Sequence, residues 1–336
     1  MSALAPTAGS APVRPGLGTS LRRGIRRNTW TVGLCGLLIG LLLFTRMLRS
    51  TYGASELESL AIAALPVALA AVAQAIAVIS GGIDLSVGSI MALTSVTAAS
   101  LMAGGTEEAA IAIVLGVLVM GALVGAINGT LIVVTRVPDI VVTLATSFVW
   151  AGAALLVLNT PGGGSAKWLR DLIDGTVLIE WLPRALFVLI VVVGVVWIPL
   201  RGSKLGLSLY AVGSDRLAAF RSGVSVGRTK VVAYALTGLF AAAGGLALTA
   251  STGIGSPIPG PYTLESVAAI VLGGVSLAGG RGGLVGPIVA VFVLAIVRTD
   301  LTFMGIDPNL TTVIRGAILV GVVMFGGLVA IRKKRA

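Results

Sequence analysis

The sequence predicts an all-α, polytopic membrane protein of about ten transmembrane helices, and three observations carry this prediction. First, 56% of the 336 residues are hydrophobic and only 11% are charged, and the mean hydropathy is +1.04. A soluble domain carries about 25% charged residues, so a chain this apolar needs lipid as its solvent. Second, the apolar residues fall into ten runs. Third, the 46 glycines suit closely packed membrane helices, which favour small residues at their contacts.

Each apolar run is long enough, or nearly so, to cross a hydrocarbon core of ~30 Å as a helix. Ten spans place both ends of the chain on one side of the membrane. The spans are predicted at about 31–48, 59–79, 85–103, 109–134, 140–158, 184–200, 231–250, 264–279, 283–298 and 310–331.

The basic residues divide unevenly between the two sides of this topology. With the N-terminus inside, the inner segments hold 17 of the 24 Lys and Arg residues and three acidic residues; these segments are 1–28, 80–84, 135–139, 201–230, 280–282 and 332–336. Because cytoplasmic loops carry the excess of Lys and Arg, both termini are predicted to be cytoplasmic. The chain then consists of a basic tail at 1–28 and a transmembrane domain at 29–334. The same rule accounts for the net charge of +11 without a nucleic-acid partner.

The residue types also limit the chemistry. The chain has no histidine and a single cysteine, Cys35, so it lacks the commonest metal ligand and any disulfide or CxxC site. No nucleophile–base pair is evident, which argues against an integral-membrane enzyme. A proton- or sodium-driven transporter needs titratable groups at membrane depth, and Asp84 is the one plausible carboxylate there. We therefore predict no catalytic residue and no metal site.

The chain repeats part of itself. Residues 78–88 match residues 270–280 at a constant offset of 192, and the stretch from Ala126 to Pro138 resembles the stretch from Ala295 to Pro308. Such duplication predicts an inverted repeat, with halves at about 58–158 and 230–331. The topology puts both Gly-Gly segments on the same side, which a simple inverted repeat forbids. At least one Gly-Gly segment is therefore expected to form a broken or re-entrant helix, next to protein or a watery cavity.

The segment GGIDLSVGS at 81–89 is the first candidate for function. Asp84 opens an apolar helix, where an acidic residue is favourable because the amides at a helix N-terminus are unpaired. It could simply cap this helix, or it could border a translocation path. Likewise, Ser89, Asn128, Thr143 and Thr146 could bind solute hydroxyls or neighbouring helices.

Two loops are long enough to contact partners. The predicted outer loop 159–183 contains a short amphipathic stretch at 167–173, which could dock an extracytoplasmic partner or lie at the lipid interface. In the predicted inner loop 201–230, Ser214 or Asp215 can cap a short helix that Gly223 ends. That helix could lie in a groove of a partner or rest on the inner leaflet. Its candidate coupling residues are Ser214, Asp215, Arg216, Leu217, Phe220, Arg221 and Gly223.

These strings together resemble a known family. GGIDLSVGS, Asn128-Gly129, VPDIVVTLAT at 137–146, YAVGSD at 210–215 and VLGGVSLAGG at 271–280 are similar in order and spacing to the permeases of ribose, xylose and galactose ABC importers. The resemblance covers about 55–330. One departure is visible, because members often read VPPFIVTLG where this chain has Asp139 and Ala145.

The resemblance implies an import function. Two copies of this chain would form the path in a bacterial inner membrane, two cytoplasmic ATPase subunits would bind ATP and magnesium, and a periplasmic sugar-binding protein would deliver a monosaccharide. The chain itself would then be non-catalytic and hold no cofactor. A branched-chain amino acid or a sugar alcohol remains an alternative substrate, and a secondary transporter an alternative class. The residues expected near the path are Gly81, Gly82, Asp84, Ser86, Ser89, Asn128, Thr143, Thr146, Gly273, Gly274 and Ser276.

Overall fold

The computed structural model describes residues 29–307, 309–314, 316–318, 320–321 and 324. Its helices are α1 (Thr29–Leu48), α2 (Ala54–Ile79), α3 (Val87–Met102), α4 (Glu107–Thr135), α5 (Asp139–Val157), α6 (Lys167–Asp171), α7 (Arg184–Gly202), α8 (Lys204–Ser214), α9 (Arg216–Arg221), α10 (Val226–Thr252), α11 (Tyr262–Leu272) and α12 (Val285–Phe303). Two short strands, β1 (Thr176–Val177) and β2 (Ile179–Pro183), pair antiparallel.

The all-α, polytopic fold is confirmed. Among the described residues, seven helices are long and apolar enough to cross a membrane, namely α1, α2, α4, α5, α7, α10 and α12, and two apolar helices, α3 and α11, are shorter. These nine correspond in order to the first nine predicted spans. The tenth predicted span, at 310–331, and Pro308 fall partly or wholly outside the described residues.

Several boundaries differ from the prediction. Helix α11 ends at Leu272 rather than near 279, because Gly274 turns the chain with a φ of +79°. Helix α10 begins at Val226, and much of the expected inner loop is α8, whose first turn is capped by the Ser203 hydroxyl accepting from Gly206 N at 3.2 Å. The hairpin of β1 and β2 was not predicted at all.

The predicted outer loop, at 159–183, is anchored to the helices on both sides of its hairpin. At the start of α6, the Glu107 carboxylate accepts hydrogen bonds from the backbone amides of Lys167 (2.9 Å) and Trp168 (3.3 Å). After the hairpin, the Arg184 guanidinium donates to the carbonyl oxygens of Asp171 (2.9 Å) and Thr176 (3.2 Å). The predicted amphipathic stretch is therefore a single helical turn held against α4.

Helices α2 and α10 form the centre of the molecule. The second half of α2, from Ala68 to Ile79, is almost completely buried. Glycines bring α10 very close to α4, because a Cβ atom added to Gly125 would overlap the carbonyl oxygen of Tyr234, and one added to Gly121 would lie 2.6 Å from the carbonyl oxygen of Gly238. Such backbone approach is typical of helix packing in membranes. The hydrophobic effect does not drive helices together in lipid, so they associate through the close van der Waals packing that small residues allow.

The chain re-enters the helix bundle after each of these long helices. After α2, the segment 80–86 folds back until Asp84 lies beside Gln74, whose side-chain amide pairs with the Asp84 carbonyl (2.8 Å) and amide (3.2 Å). After α10, the segment 253–261 runs along α3, and Gly255 pairs with Gly162. The short helices α3 and α11 then begin next to each other, with Gly88 N donating to Thr263 Oγ1 at 2.9 Å.

A long helix, a re-entrant segment and a short helix thus occur twice in the chain. From their meeting point α3 and α11 run in opposite directions, because α3 ends near Gly164, whereas the segment after α11 reaches the end of α2 through Gly280. Inverted halves built from broken helices are a common transporter design. The inverted units are α2–α3 and α10–α11. The two matched Gly-Gly segments lie on the same side of the bundle, as predicted, so they are not equivalent positions of the inverted repeat.

The two Gly-Gly segments nevertheless share one backbone structure. At the end of α2, the amides of Ser80, Gly81 and Gly82 donate to the carbonyl oxygens four, three and five residues earlier. At the end of α11, the amides of Gly273, Gly274 and Val275 do the same. In each case the second residue is a glycine with φ near +78°, as a Schellman cap requires. The structural offset is therefore 193, one more than the offset of the sequence match.

Candidate functional site

The predicted path residues of the first Gly-Gly segment lie in a buried chain of hydrogen bonds. Asp84 Oδ1 accepts from the amide (2.8 Å) and the hydroxyl (2.5 Å) of Ser86. The Ser86 hydroxyl in turn accepts from Asn128 Nδ2 at 2.8 Å, and Asn128 Oδ1 accepts from Trp150 Nε1 at 3.1 Å. Asp84, Ser86 and Asn128 are fully buried. The chain of bonds joins the first re-entrant segment to α4 and α5.

The local sequence explains this arrangement. Asp84 stands three residues before Val87, the first residue of α3, and its short side chain closes a turn onto the amide of Ser86, the N-cap residue. The carboxylate therefore orders the turn that leads into α3 and does not bond the free amides of the helix itself. Its second oxygen, Oδ2, is buried and has no hydrogen-bond partner among the described residues.

Thr143 joins the same segment to α5. Its hydroxyl accepts from Leu85 N at 3.0 Å and lies within hydrogen-bond distance of the carbonyl oxygens of Ile83 (3.2 Å) and Asp139 (2.9 Å). Thr146 donates to the Thr143 carbonyl at 3.3 Å, and Ser89 is buried on α3. In this conformation the polar atoms of Thr143 and Asn128 bind neighbouring protein groups, so they hold helices together.

The second Gly-Gly segment lies apart from Asp84 and carries few polar side-chain contacts. Gly273 is buried, Gly274 is exposed, and Ser276 contributes a backbone bond, with its amide donating to the Arg281 carbonyl at 3.1 Å. The indole of Trp30, on α1, donates to the carbonyl of Leu272 at 2.7 Å. This segment is therefore sealed by backbone bonds and by α1.

The first Gly-Gly segment and the end of the loop after α11 meet at one residue of α8. Gly213 lies against the carbonyl of Ile79, the Cα of Gly81 and the backbone of Gly280, and a Cβ atom added to Gly213 would overlap the first and lie 2.7 Å from Gly280 N. In the same place Gly280 N donates to the Ile79 carbonyl at 3.0 Å. We call this contact of residues 79–81, 213 and 279–280 the glycine junction. It joins the first helix break, at the end of α2, and residues 279–280 to α8.

The predicted coupling residues form a capped helical turn beside this junction. Asp215 Oδ1 accepts from the amides of Leu217 (2.8 Å) and Ala218 (3.0 Å), and Gly223, with a φ of +81°, ends the turn after α9. Leu217 and Phe220 expose 58% and 68% of their surface, so an apolar face is free on α9 in this chain. Ser214 and Arg221 are also exposed.

A buried ionic cluster beside the first break was missed at the sequence level. The Asp139 carboxylate, 7% exposed, forms an ion pair with the ammonium of Lys230, which is 2% exposed, and accepts from the Tyr234 hydroxyl at 2.9 Å. Arg216 Nη2 lies 3.5 Å from the other carboxylate oxygen. The signals were present, because Asp139 was a departure from the family pattern and Lys230 directly precedes a predicted span.

An open cavity of about 610 Å³ lies over this cluster. Its lining includes Gly82, Arg136, Asp139, Arg216 and Lys230. Among the described residues, no group of three or more acidic or cysteine side chains is arranged to hold a metal ion. The arrangement therefore provides structural coupling between α5, α9, α10 and the first re-entrant segment.

Comparisons with known proteins place the chain in a family. The model of the family described as "Branched-chain amino acid transport system / permease component" matches residues 56–323. The ribose import permease protein RbsC of Escherichia coli (strain K12) is 31% identical over 75% of this chain and 79% of its own length, and RbsC of Bacillus subtilis (strain 168) is 33% identical over 77% and 79%.

The autoinducer 2 import system permease protein LsrD of Escherichia coli O9:H4 (strain HS) is 30% identical over 84% of this chain and 85% of its own length. No solved structure gives a significant match. These findings confirm the resemblance drawn from the motifs. The chain belongs to the branched-chain amino acid transport system permease component family, as a multi-pass inner-membrane permease of the ABC-importer type.

Proposed function

We propose that this chain is the membrane-spanning subunit of an ATP-driven, binding-protein-dependent monosaccharide importer, and that two copies of it form the path. The observation that carries the proposal is the direct connection between α9 and the first break. The exposed apolar face of α9 is free to bind a partner, while Arg216 on the same helix donates to the carbonyl of Gly81 at 2.9 Å. A partner that moves α9 would therefore act on the segment that holds Asp84.

The partner on that side would be a cytoplasmic ATPase subunit that binds ATP and magnesium, so this chain needs no cofactor and performs no catalysis. This assignment makes both termini cytoplasmic, in agreement with the excess of basic residues on the α9 side. The opposite side, which carries the α6 turn and the hairpin, would receive a periplasmic binding protein. Alternating access would then be a rigid-body change driven by the ATPase.

The names of the relatives support the proposed substrate class. Two of them are ribose import permeases, and the third is named for autoinducer 2. A monosaccharide is therefore the first candidate. The description of the matching family favours a second candidate, a branched-chain amino acid.

The test is uptake by vesicles that contain this chain with its ATPase subunits and binding protein. We expect accumulation of a radiolabelled pentose that requires ATP and persists in the presence of an uncoupler. Uptake by the chain alone, driven by a proton or sodium gradient, would overturn the proposal. Labelled leucine in parallel vesicles distinguishes the two substrate classes.

A variant of the apolar face links this test to α9. Phe220→Asp places a charge on the exposed face without touching a buried group, so the chain should insert and purify normally. We expect the ATPase subunits to be lost from the purified complex and ATP-dependent uptake to stop. Normal co-purification would exclude α9 as their binding site.

A further inference from the structure

The ionic cluster beside the first break contains one more cation than its carboxylate needs. Lys230 and Asp139 are both buried and neutralise each other, and a buried charge of either sign would be costly alone. Burial therefore explains why Lys230 and Asp139 are paired. It does not explain the contact of Arg216 with Asp139, because 54% of the Arg216 side chain is exposed and this side chain could have extended into water.

The position of Arg216 is set by two acceptors from different parts of the fold. One is Asp139 Oδ1, at the start of α5, and the other is the carbonyl oxygen of Gly81, in the cap of α2. The Asp139 carboxylate is in turn held by Lys230 and Tyr234, both on α10. Both contacts are made by one nitrogen, Nη2, which donates a hydrogen bond to Gly81 and forms an ion pair with Asp139 at 3.5 Å. The carboxylate therefore holds by charge the same group that bonds the cap.

Gly81 connects Arg216 to the first re-entrant segment through the backbone. Three residues after it, Asp84 starts the buried hydrogen-bond chain to Ser86 and Asn128. The Gly81 carbonyl is therefore a point at which a shift of α9 is passed to the re-entrant segment. The glycine junction lies next to it, and Gly81, Gly213 and Gly280 have no side chains there that could absorb the shift.

On the basis of the function proposed above, we propose that Asp139 is a positioning residue that fixes α9 against the first re-entrant segment through Arg216. Its role is to make movement of α9 by the ATPase move residues 81–84. Without this contact, α9 still binds the ATPase through its apolar face, but ATP hydrolysis no longer drives transport efficiently.

The experiment uses the complete complex in vesicles and measures sugar uptake and ATP hydrolysis together. Arg216→Ala removes the contacts from α9 to Asp139 and Gly81, and it leaves the buried Asp139–Lys230 pair intact. We expect the number of sugars imported per ATP to fall by at least ~5-fold, the lower end of usual coupling between sites, while the ATPase still co-purifies and hydrolyses ATP. Asp139→Asn combined with Lys230→Gln keeps the buried pair uncharged and hydrogen-bonded. It removes the charge that holds Arg216 and leaves the bond from Arg216 to Gly81, so it should lower the ratio in the same direction but by less than Arg216→Ala.

Arg228→Ala is the matched control, because Arg228 is an exposed arginine at the start of α10 with no described side-chain contact. It should leave the ratio unchanged. A wild-type ratio in Arg216→Ala would overturn the proposal, and so would loss of ATPase co-purification, which would make Arg216 a docking residue. If the wild-type complex itself shows no ATP-dependent uptake, the proposed function fails instead.

Discussion

The two Gly-Gly segments end their helices with the same three backbone hydrogen bonds, yet they differ in everything attached to that cap. The first break holds a buried carboxylate, and side chains of α4 and α5 seal it. The second break is partly exposed and is sealed by backbone bonds and by the Trp30 indole from α1. The same helix cap can therefore precede a buried segment held by polar side chains or a partly exposed loop held mainly by backbone bonds.

The first prediction tests whether the polar side chains make the first break the more stable one. Asp84→Ala leaves the amide and hydroxyl of Ser86 without their acceptor, so we expect a loss of about 3 kcal/mol in the free energy of unfolding. Ser276→Ala, at the residue matched to Asp84 by the sequence repeat, should change it by less than ~0.5 kcal/mol, because no side-chain bond of Ser276 is found in the described chain. Titration of each purified variant with SDS measures both values, and equal losses would contradict the distinction.

The second prediction compares the two cap glycines. Alanine is strained at either Gly81 or Gly274, because φ is near +78° at both, at a cost of about 1–2 kcal/mol. At Gly81 the new Cβ would also lie 3.2 Å from the Cα of Gly213, a backbone atom that cannot rotate away. At Gly274 it would lie 2.6 Å from Cδ1 of Trp30, a side chain that can rotate away at the cost of its hydrogen bond to Leu272. We therefore expect Gly81→Ala to lower the unfolding free energy more than Gly274→Ala, and the reverse order would show that the glycine junction is not rigid.

The third prediction concerns the seal of the second break and is the smallest. Trp30→Phe removes the hydrogen bond to Leu272 but keeps an aromatic ring, so the loss should be about 1 kcal/mol. Trp181→Phe serves as the control, since Trp181 is exposed on β2 and has no described hydrogen bond. The same SDS titration applies, and equal effects of the two variants would remove the role assigned to Trp30.

The sequence predicted the spans because apolar runs and basic loops reflect one dominant force, transfer into lipid. It could not predict how far each re-entrant segment folds back, because that depends on contacts between residues distant in the chain, such as Gly88 with Thr263. One signal was available: Gln74 is a lone amide in a long apolar run, and it holds the backbone of Asp84.

Only part of the candidate site could be predicted, because the rest of it also depends on contacts between distant residues. The segment around Asp84 could be found from its repeat and its acidic residue. The Asp139–Lys230 pair could not, because Lys230 was assigned to a loop and the two residues lie 91 positions apart. Long-range ion pairs leave no periodic pattern in a sequence, so only a structure reveals which charges face each other.

The glycine junction has a consequence for how opening of this chain could be observed. A backbone hydrogen bond joins the end of α2 to the segment after α11, from the amide of Gly280 to the carbonyl of Ile79. Hydrogen–deuterium exchange at that one amide therefore reports separation of these two segments directly, on the timescale of local opening. Its protection factor is a single-site measure of how often the end of α2 and the segment after α11 come apart.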